Sequence, residues 1–151
     1  MKKQTSSITV KASLENLERI NSFIRLWTKK VGLSPGSENQ LLLAVEEACV
    51  NVAKYAYPEF TGPVTIDCRL DGGSLILQIR DEGVPFNPLK TPEPDLALSL
   101  EEREVGGLGI FFIRRLVDEV KYQREGKFNV LTLSKSEAKR TLSQKDGEGE
   151  E

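Results

Sequence analysis

Hydrophobic residues along this chain switch between two periods, and the switches divide it into elements. From Ser6 to Ala12 apolar and polar residues alternate through Ile8 and Val10, which predicts a first strand. Leu14, Leu17, Ile20, Phe23/Ile24 and Trp27 then recur at helical spacing, predicting a helix capped by Ser13 that runs to about Val31. Gly32 to Gly36, with Pro35, breaks it. A second helix is expected from about Ser37 to Tyr57, stopped by Pro58. Val64–Leu70 and Leu75–Arg80 read as two strands joined by Asp71-Gly72-Gly73, a hairpin signal. From Glu82 to Val105 the periodicity collapses around Pro85, Pro88, Pro92 and Pro94. A stretch of that length without a pattern suits a lid. Ile110, Ile113, Leu116 and Val117 mark a helix after Gly109, and Val120–Arg124 with Phe128–Leu133 form a closing hairpin through Glu125-Gly126-Lys127. From about Ser136 the chain turns polar and charged, as a disordered tail does. Residues 1–135 are therefore read as one domain and 136–151 as its tail. The order β-α-α-β-β-lid-α-β-β predicts an α+β fold, a two-layer sandwich rather than a doubly wound parallel sheet.

Composition narrows the function. The chain has 151 residues, enough for one core, with 38% hydrophobic and 29% charged residues. A net charge of −2 and the lack of a basic stripe argue against direct nucleic-acid binding. Lys2 and Lys3 are followed by no apolar run, so no signal peptide is read, and no stretch reaches the length of a membrane span. A cytoplasmic location is expected. Cys49 and Cys68 fall in apolar elements and read as small buried hydrophobes. The chain has no histidine, which removes Ser-His-Asp and Cys-His catalysis, histidine-ligated zinc and a phosphohistidine. Chemistry must come from carboxylates, amides, backbone groups or arginine.

Three segments offer such groups. In the second helix Leu41, Val45, Ala48/Cys49, Val52 and Ala56 share one face, while Glu47 and Asn51 stand one turn apart on the other with Lys54. A carboxamide oxygen there can ligate Mg²⁺ and a carboxylate can accept a proton. Asp81-Glu82-Gly83-Val84-Pro85-Phe86 follows a strand. Asp81 can accept a hydrogen bond from an exocyclic amine, and Gly83 can let the backbone approach a flat base. Gly106-Gly107-Leu108-Gly109 opens a helix, where free N–H groups and the helix dipole suit phosphate. It is not a Walker A loop, because no Gly-Lys-Ser/Thr follows. Arg103, just before it, is the candidate cation for a γ-phosphate.

In order and spacing these three segments resemble the N-box and the two glycine boxes of the GHKL ATPase/kinase superfamily. The compact size, Asp-x-Gly-x-Pro-Phe and Gly-Gly-Leu-Gly-Ile look like the anti-sigma-factor serine kinases of bacterial partner switching, over residues 6–134. The resemblance implies helices on one face of a mixed sheet, with ATP between helices and lid. It implies Glu47 as general base on a serine hydroxyl, Asn51 as Mg²⁺ ligand, and Asp81 on the adenine amine. Gly83 would line the base pocket, and Gly106, Gly107 and Gly109 would meet the phosphates. It further implies a homodimer that binds a sigma factor and phosphorylates a small antagonist protein. Two departures stand out: relatives usually carry His at Tyr55, and some carry Arg at Val105. The rival expectations are a non-catalytic partner-switch module, with or without ATP, and the detached catalytic domain of a histidine kinase.

Overall fold

The structure is a computed structural model and describes residues 5–90 and 109–137. The first strand, β1, spans Thr5–Lys11. After a 3₁₀ turn at Leu14–Asn16, helix α1 runs Leu17–Val31. Ser13 makes no capping bond. Asn16 stands at the start of α1, and its amide donates to Lys11 O and Ser13 Oγ instead. Helix α1 ends at Gly32, whose φ of 78° lets the chain turn left-handed while its N–H meets Thr28 O.

Helix α2 spans Pro35–Asn51, two residues earlier than the sequence suggests. Pro35 does not break the chain here. It sits at the first helical position, where its missing N–H is no loss, and Ser34 Oγ accepts from Ser37 N as the cap. Beyond Asn51 the helix widens into a π-turn, Val52–Ala56, before Tyr57.

Strands β2 (Pro63–Asp71) and β3 (Ser74–Asp81) form a hairpin whose Gly72 has a φ of 62°. Helix α3 spans Gly109–Leu116, and β4 (Glu119–Glu125) and β5 (Phe128–Ser136) form the second hairpin. The sheet order is β1-β2-β3-β5-β4, with every pairing antiparallel. The α+β sandwich therefore stands, but the sheet of the described residues is antiparallel rather than mixed. β4 runs in the same direction as β3, yet β5 inserts between them and runs against both.

Register puts Val64, Ile66 and Cys68 of β2, Leu75, Leu77 and Ile79 of β3, and Leu131 and Leu133 of β5 on one face, all buried. Against it lie Ile20, Ile24 and Trp27 of α1, the expected apolar face of α2, and Ile113 of α3. Both cysteines are free and buried in this core, and burial pushes their thiols up to about 12. The other face of the sheet is polar, crossed by a 2.7 Å Arg80–Asp67 ion pair and a Thr9–Thr65 hydroxyl contact. The last strand runs to Ser136, three residues beyond the Leu133 at which the sequence suggests it ends. Ser136 is buried and bonds Asp118, so it belongs to the sheet and not to a tail. No described helix is long and apolar enough to cross a membrane.

Leu77 is 0% exposed and Leu43, on α2, is 52% exposed. Leu77→Ala should therefore cost about 2–5 kcal/mol in equilibrium urea unfolding. Leu43→Ala should stay within about 0.5 kcal/mol of wild type. Equal costs would contradict this division of core and surface.

Candidate functional site

Asp81 is the last residue of β3, where register pairs it with Val64 on one side and Asn129 on the other. Its parity turns the side chain to the helix-covered face, and it is 5% exposed. One carboxylate oxygen, Oδ1, accepts from Gly83 N at 2.9 Å and from Asn129 Nδ2 at 2.8 Å. The second oxygen has no hydrogen-bond partner among the described residues. Burial raises the carboxyl above its ordinary range, against the pull of the Asn129 and Gly83 donors and the Arg124 charge.

Asn129 uses both ends of its amide. Nδ2 also donates to Val84 O at 2.8 Å, while Oδ1 accepts from Tyr122 Oη at 2.6 Å, Phe86 N at 3.2 Å and Arg124 Nη1 at 3.2 Å. Arg124 Nη1 reaches Gly83 O as well, at 2.8 Å. The loop from Gly83 to Phe86 is thus held by one amide and one guanidinium.

A second set of bonds ties this loop to α2. Val84 N donates to Ala56 O at 2.9 Å, and a Cβ on Gly83 would lie 2.2 Å from that same oxygen. The close approach that requires glycine at position 83 is to the π-turn. Tyr57 Oη accepts from Glu82 N at 2.8 Å and donates to Pro63 O at 2.5 Å. The ring of Tyr57 in turn fills the space that a side chain on Gly62 would need. Tyr55, where the resemblance leads one to expect His, packs its ring 5.0 Å from that of Phe86. Lys54 lies 5.3 Å over the Tyr55 ring.

Asn51 and Asp81 meet at one small cavity of about 20 Å³, bounded also by Ala48, Ile79, Phe86 and Asn129. That is room for one water. Larger hollows of about 280 and 400 Å³ lie on the polar face of the sheet, lined by Arg69, Lys121, Gln78 and Arg80 among others, away from these motifs. Chemistry outranks size here, because the buried polar groups gather at the small cavity.

Glu47 and Asn51 carry the other half of the site. Asn51 is 4% exposed, and both Asn51 Nδ2 and Glu47 Oε2 are buried without a hydrogen-bond partner. Two such atoms one turn apart are what a bound polar ligand would satisfy. Burial, and then the charge of Glu46, raises the Glu47 carboxyl, which makes it a better proton acceptor. No group of three or more metal-ligating side chains gathers among the described residues. A Mg²⁺ that arrives on phosphates takes few protein ligands, and the amide oxygen of Asn51 can be one. Gly109 opens α3, as expected. Arg103, Gly106, Gly107 and Val105 lie outside the described residues, as does the expected lid beyond Lys90. The start of that lid, from Glu82 to Leu89, is bonded to Tyr57, Asn129 and, through Leu89 O, to Arg114 at 3.1 Å.

Residues 10–135 match the family model of the histidine kinase-like ATPase domain. The chain belongs to that family. It is 28% identical over 106 residues to the serine-protein kinase RsbW of Bacillus mycoides, covering 68% of this chain and 66% of the relative. It is 30% identical over 99 residues to the serine/threonine-protein kinase BtrW of Bordetella bronchiseptica, covering 65% and 70%. The chain thus spans about two thirds of the length of these relatives. Its fold is similar, with a TM-score of 0.60 and 17% identity, to a crystal structure of the RsbU and RsbW domains of a Mycobacterium tuberculosis protein. That match covers 88% of this chain and 32% of the other.

For a histidine kinase-like ATPase domain, the residues that sequence reasoning missed are Asn129, Arg124 and Tyr57. A signal for Asn129 existed. It shares parity with Leu131 and Leu133, so it is a polar residue on an apolar strand face, and such a residue needs partners. Arg124 and Tyr57 carry no comparable mark, because arginine on an edge strand and tyrosine at a helix end are ordinary.

Tyr57→Phe keeps the ring and removes the bridge between Glu82 N and Pro63 O. It should cost roughly 1–3 kcal/mol in urea unfolding, with an unchanged far-ultraviolet spectrum, because a half-buried N–H and C=O are left unpaired. No loss of stability would mean that the bridge does not hold the loop.

Proposed function

We propose that this chain is an ATP-dependent serine/threonine protein kinase that doubles as an anti-sigma factor and phosphorylates a small antagonist protein. The observation that carries the reading is the pair of buried, unpartnered atoms Glu47 Oε2 and Asn51 Nδ2 one turn apart, with Asn51 also lining the Asp81 cavity. The names of the two kinase relatives support it. Cytoplasmic location, a homodimer, and partners that are proteins rather than membrane or nucleic acid belong to the same reading.

Each residue then has a task. The free oxygen of Asp81 accepts the exocyclic amine of adenine, while Gly83 N and Asn129 hold the other oxygen still. Gly83 keeps the loop against α2, beside the base. The glycine motif of Gly106, Gly107 and Gly109 is assigned to the phosphates, and Arg103 is assigned as the cation for the γ-phosphate. Mg²⁺, when bound, neutralises phosphate charge, with Asn51 as its protein ligand. Glu47 takes the proton of the acceptor serine as that oxygen bonds the γ-phosphorus and the bond to ADP breaks.

A second reading is a nucleotide-binding switch that does not transfer phosphate. Val105, where some relatives carry Arg, is the departure that favours it.

Single-turnover transfer from labelled ATP to a serine-bearing antagonist separates the two. Glu47→Gln should retain ATP affinity and lose about two to four orders of magnitude in transfer rate. Glu46→Gln removes only the smaller of the two causes that raise the Glu47 carboxyl, so it should slow transfer far less than Glu47→Gln. Equal transfer by wild type and Glu47→Gln would show the wrong base. Binding of ATP and antagonist with no transfer by wild type would leave the switch.

A further inference from the structure

The inward face of β5 is polar at both ends, with Asn129 at one and Lys135 at the other. Asn129 belongs to the base side of the site. Lys135 has no part in the roles above, yet it is 3% exposed, and burying an ammonium group is costly unless fixed partners repay it. Its Nζ donates to Leu116 O, the last carbonyl of α3, at 2.6 Å and to Gln40 Oε1 of α2 at 2.9 Å. One ammonium thus joins the two helices that carry the proposed nucleotide groups, and it does so at the negative end of α3.

The neighbouring residues reinforce the junction. Ser136 donates through N and Oγ to Asp118 Oδ2 at 2.8 and 3.1 Å, and Asp118 N donates to Ser134 O at 2.9 Å. Ser34 N, at the cap of α2, donates to Glu137 Oε2 at 3.3 Å. At the other flank of α3, Arg114 holds Leu89 O beside the base cavity.

We propose that Lys135 is a positioning residue that sets α3 against α2 and thereby acts more on the phosphate half of the site, at Gly109 and Asn51, than on the base half. α3 is eight residues long, about 12 Å, so a short rigid rod links the Lys135 clasp at its C-terminus to Gly109 at its N-terminus. A small tilt at one end displaces the other. The base half is held mainly by the bonds of Asp81, Asn129 and Arg124, to which α3 adds the single Arg114 bond. This inference rests on the nucleotide-binding reading of the site.

The test compares two ligands that differ only in phosphate. Affinities of wild type, Lys135→Met and Gln40→Ala for ATP with Mg²⁺ and for adenosine are measured by titration, and the stability of each by urea unfolding. Lys135→Met should weaken ATP about tenfold, through the displaced α3, and leave adenosine within a factor of about two. Gln40→Ala, which removes one leg of the clasp and spares the other, should shift ATP alone by a smaller factor. It carries the test if Lys135→Met does not fold. Parallel losses for ATP and adenosine would overturn the proposal in favour of general stabilisation, and so would unchanged ATP affinity. If wild type itself binds no ATP, the nucleotide reading falls and this inference with it.

Discussion

The site depends on one buried carboxylate, held at the end of β3 by two donors. At 5% exposure burial raises the Asp81 carboxyl, the two donors pull against that rise, and they come from different parts of the chain. Gly83 N requires the loop to turn back two residues after the strand. Asn129 requires β5 to lie beside β3 in one register, because a one-residue slip would send its amide to the opposite face of the sheet. Strand order, loop shape and the orientation of one acceptor oxygen are therefore parts of a single constraint.

That constraint reaches α2 through backbone contacts. The π-turn at Val52–Ala56 brings Ala56 O to Val84 N, and no side chain at position 83 would fit there. Tyr57 adds a hydroxyl between the loop and the start of β2. The helix that carries Glu47 and Asn51 is consequently anchored at its C-terminal end to the loop that orients Asp81. π-turns inside helices often mark functional sites, and here the widened turn is what lets the helix end against the loop.

Much of this was legible in the sequence. Period-2 runs located β1, β2, β3 and the last hairpin, and Leu41, Val45, Ala48, Val52 and Ala56 identified the buried face of α2. Spacing also marks Glu47, Asn51, Asp81 and Gly83 as candidates. Three kinds of feature were not legible. The position of β5 between β3 and β4 is a tertiary choice that no local period encodes. Pro35 serves equally as a breaker and as a first helical residue, and only the Ser34 cap decides between them. The partners of the inward polar residues Asn129 and Lys135 are distant, so no local pattern names them: Asp81 is 48 residues from Asn129, and Gln40 is 95 from Lys135, which lies beyond the expected strand.

The central claim is that Asn129 acts on nucleotide through Asp81 by holding its carboxylate, and not by touching the ligand. A double-mutant cycle on ATP affinity tests this most directly, with Asp81→Asn, Asn129→Ala and the double variant measured by calorimetry alongside wild type. Each single change should weaken ATP. The double variant should bind no more weakly than Asp81→Asn alone, with a coupling of about 1–3 kcal/mol between the two positions. Losses that simply add would contradict the claim and make Asn129 an independent contact.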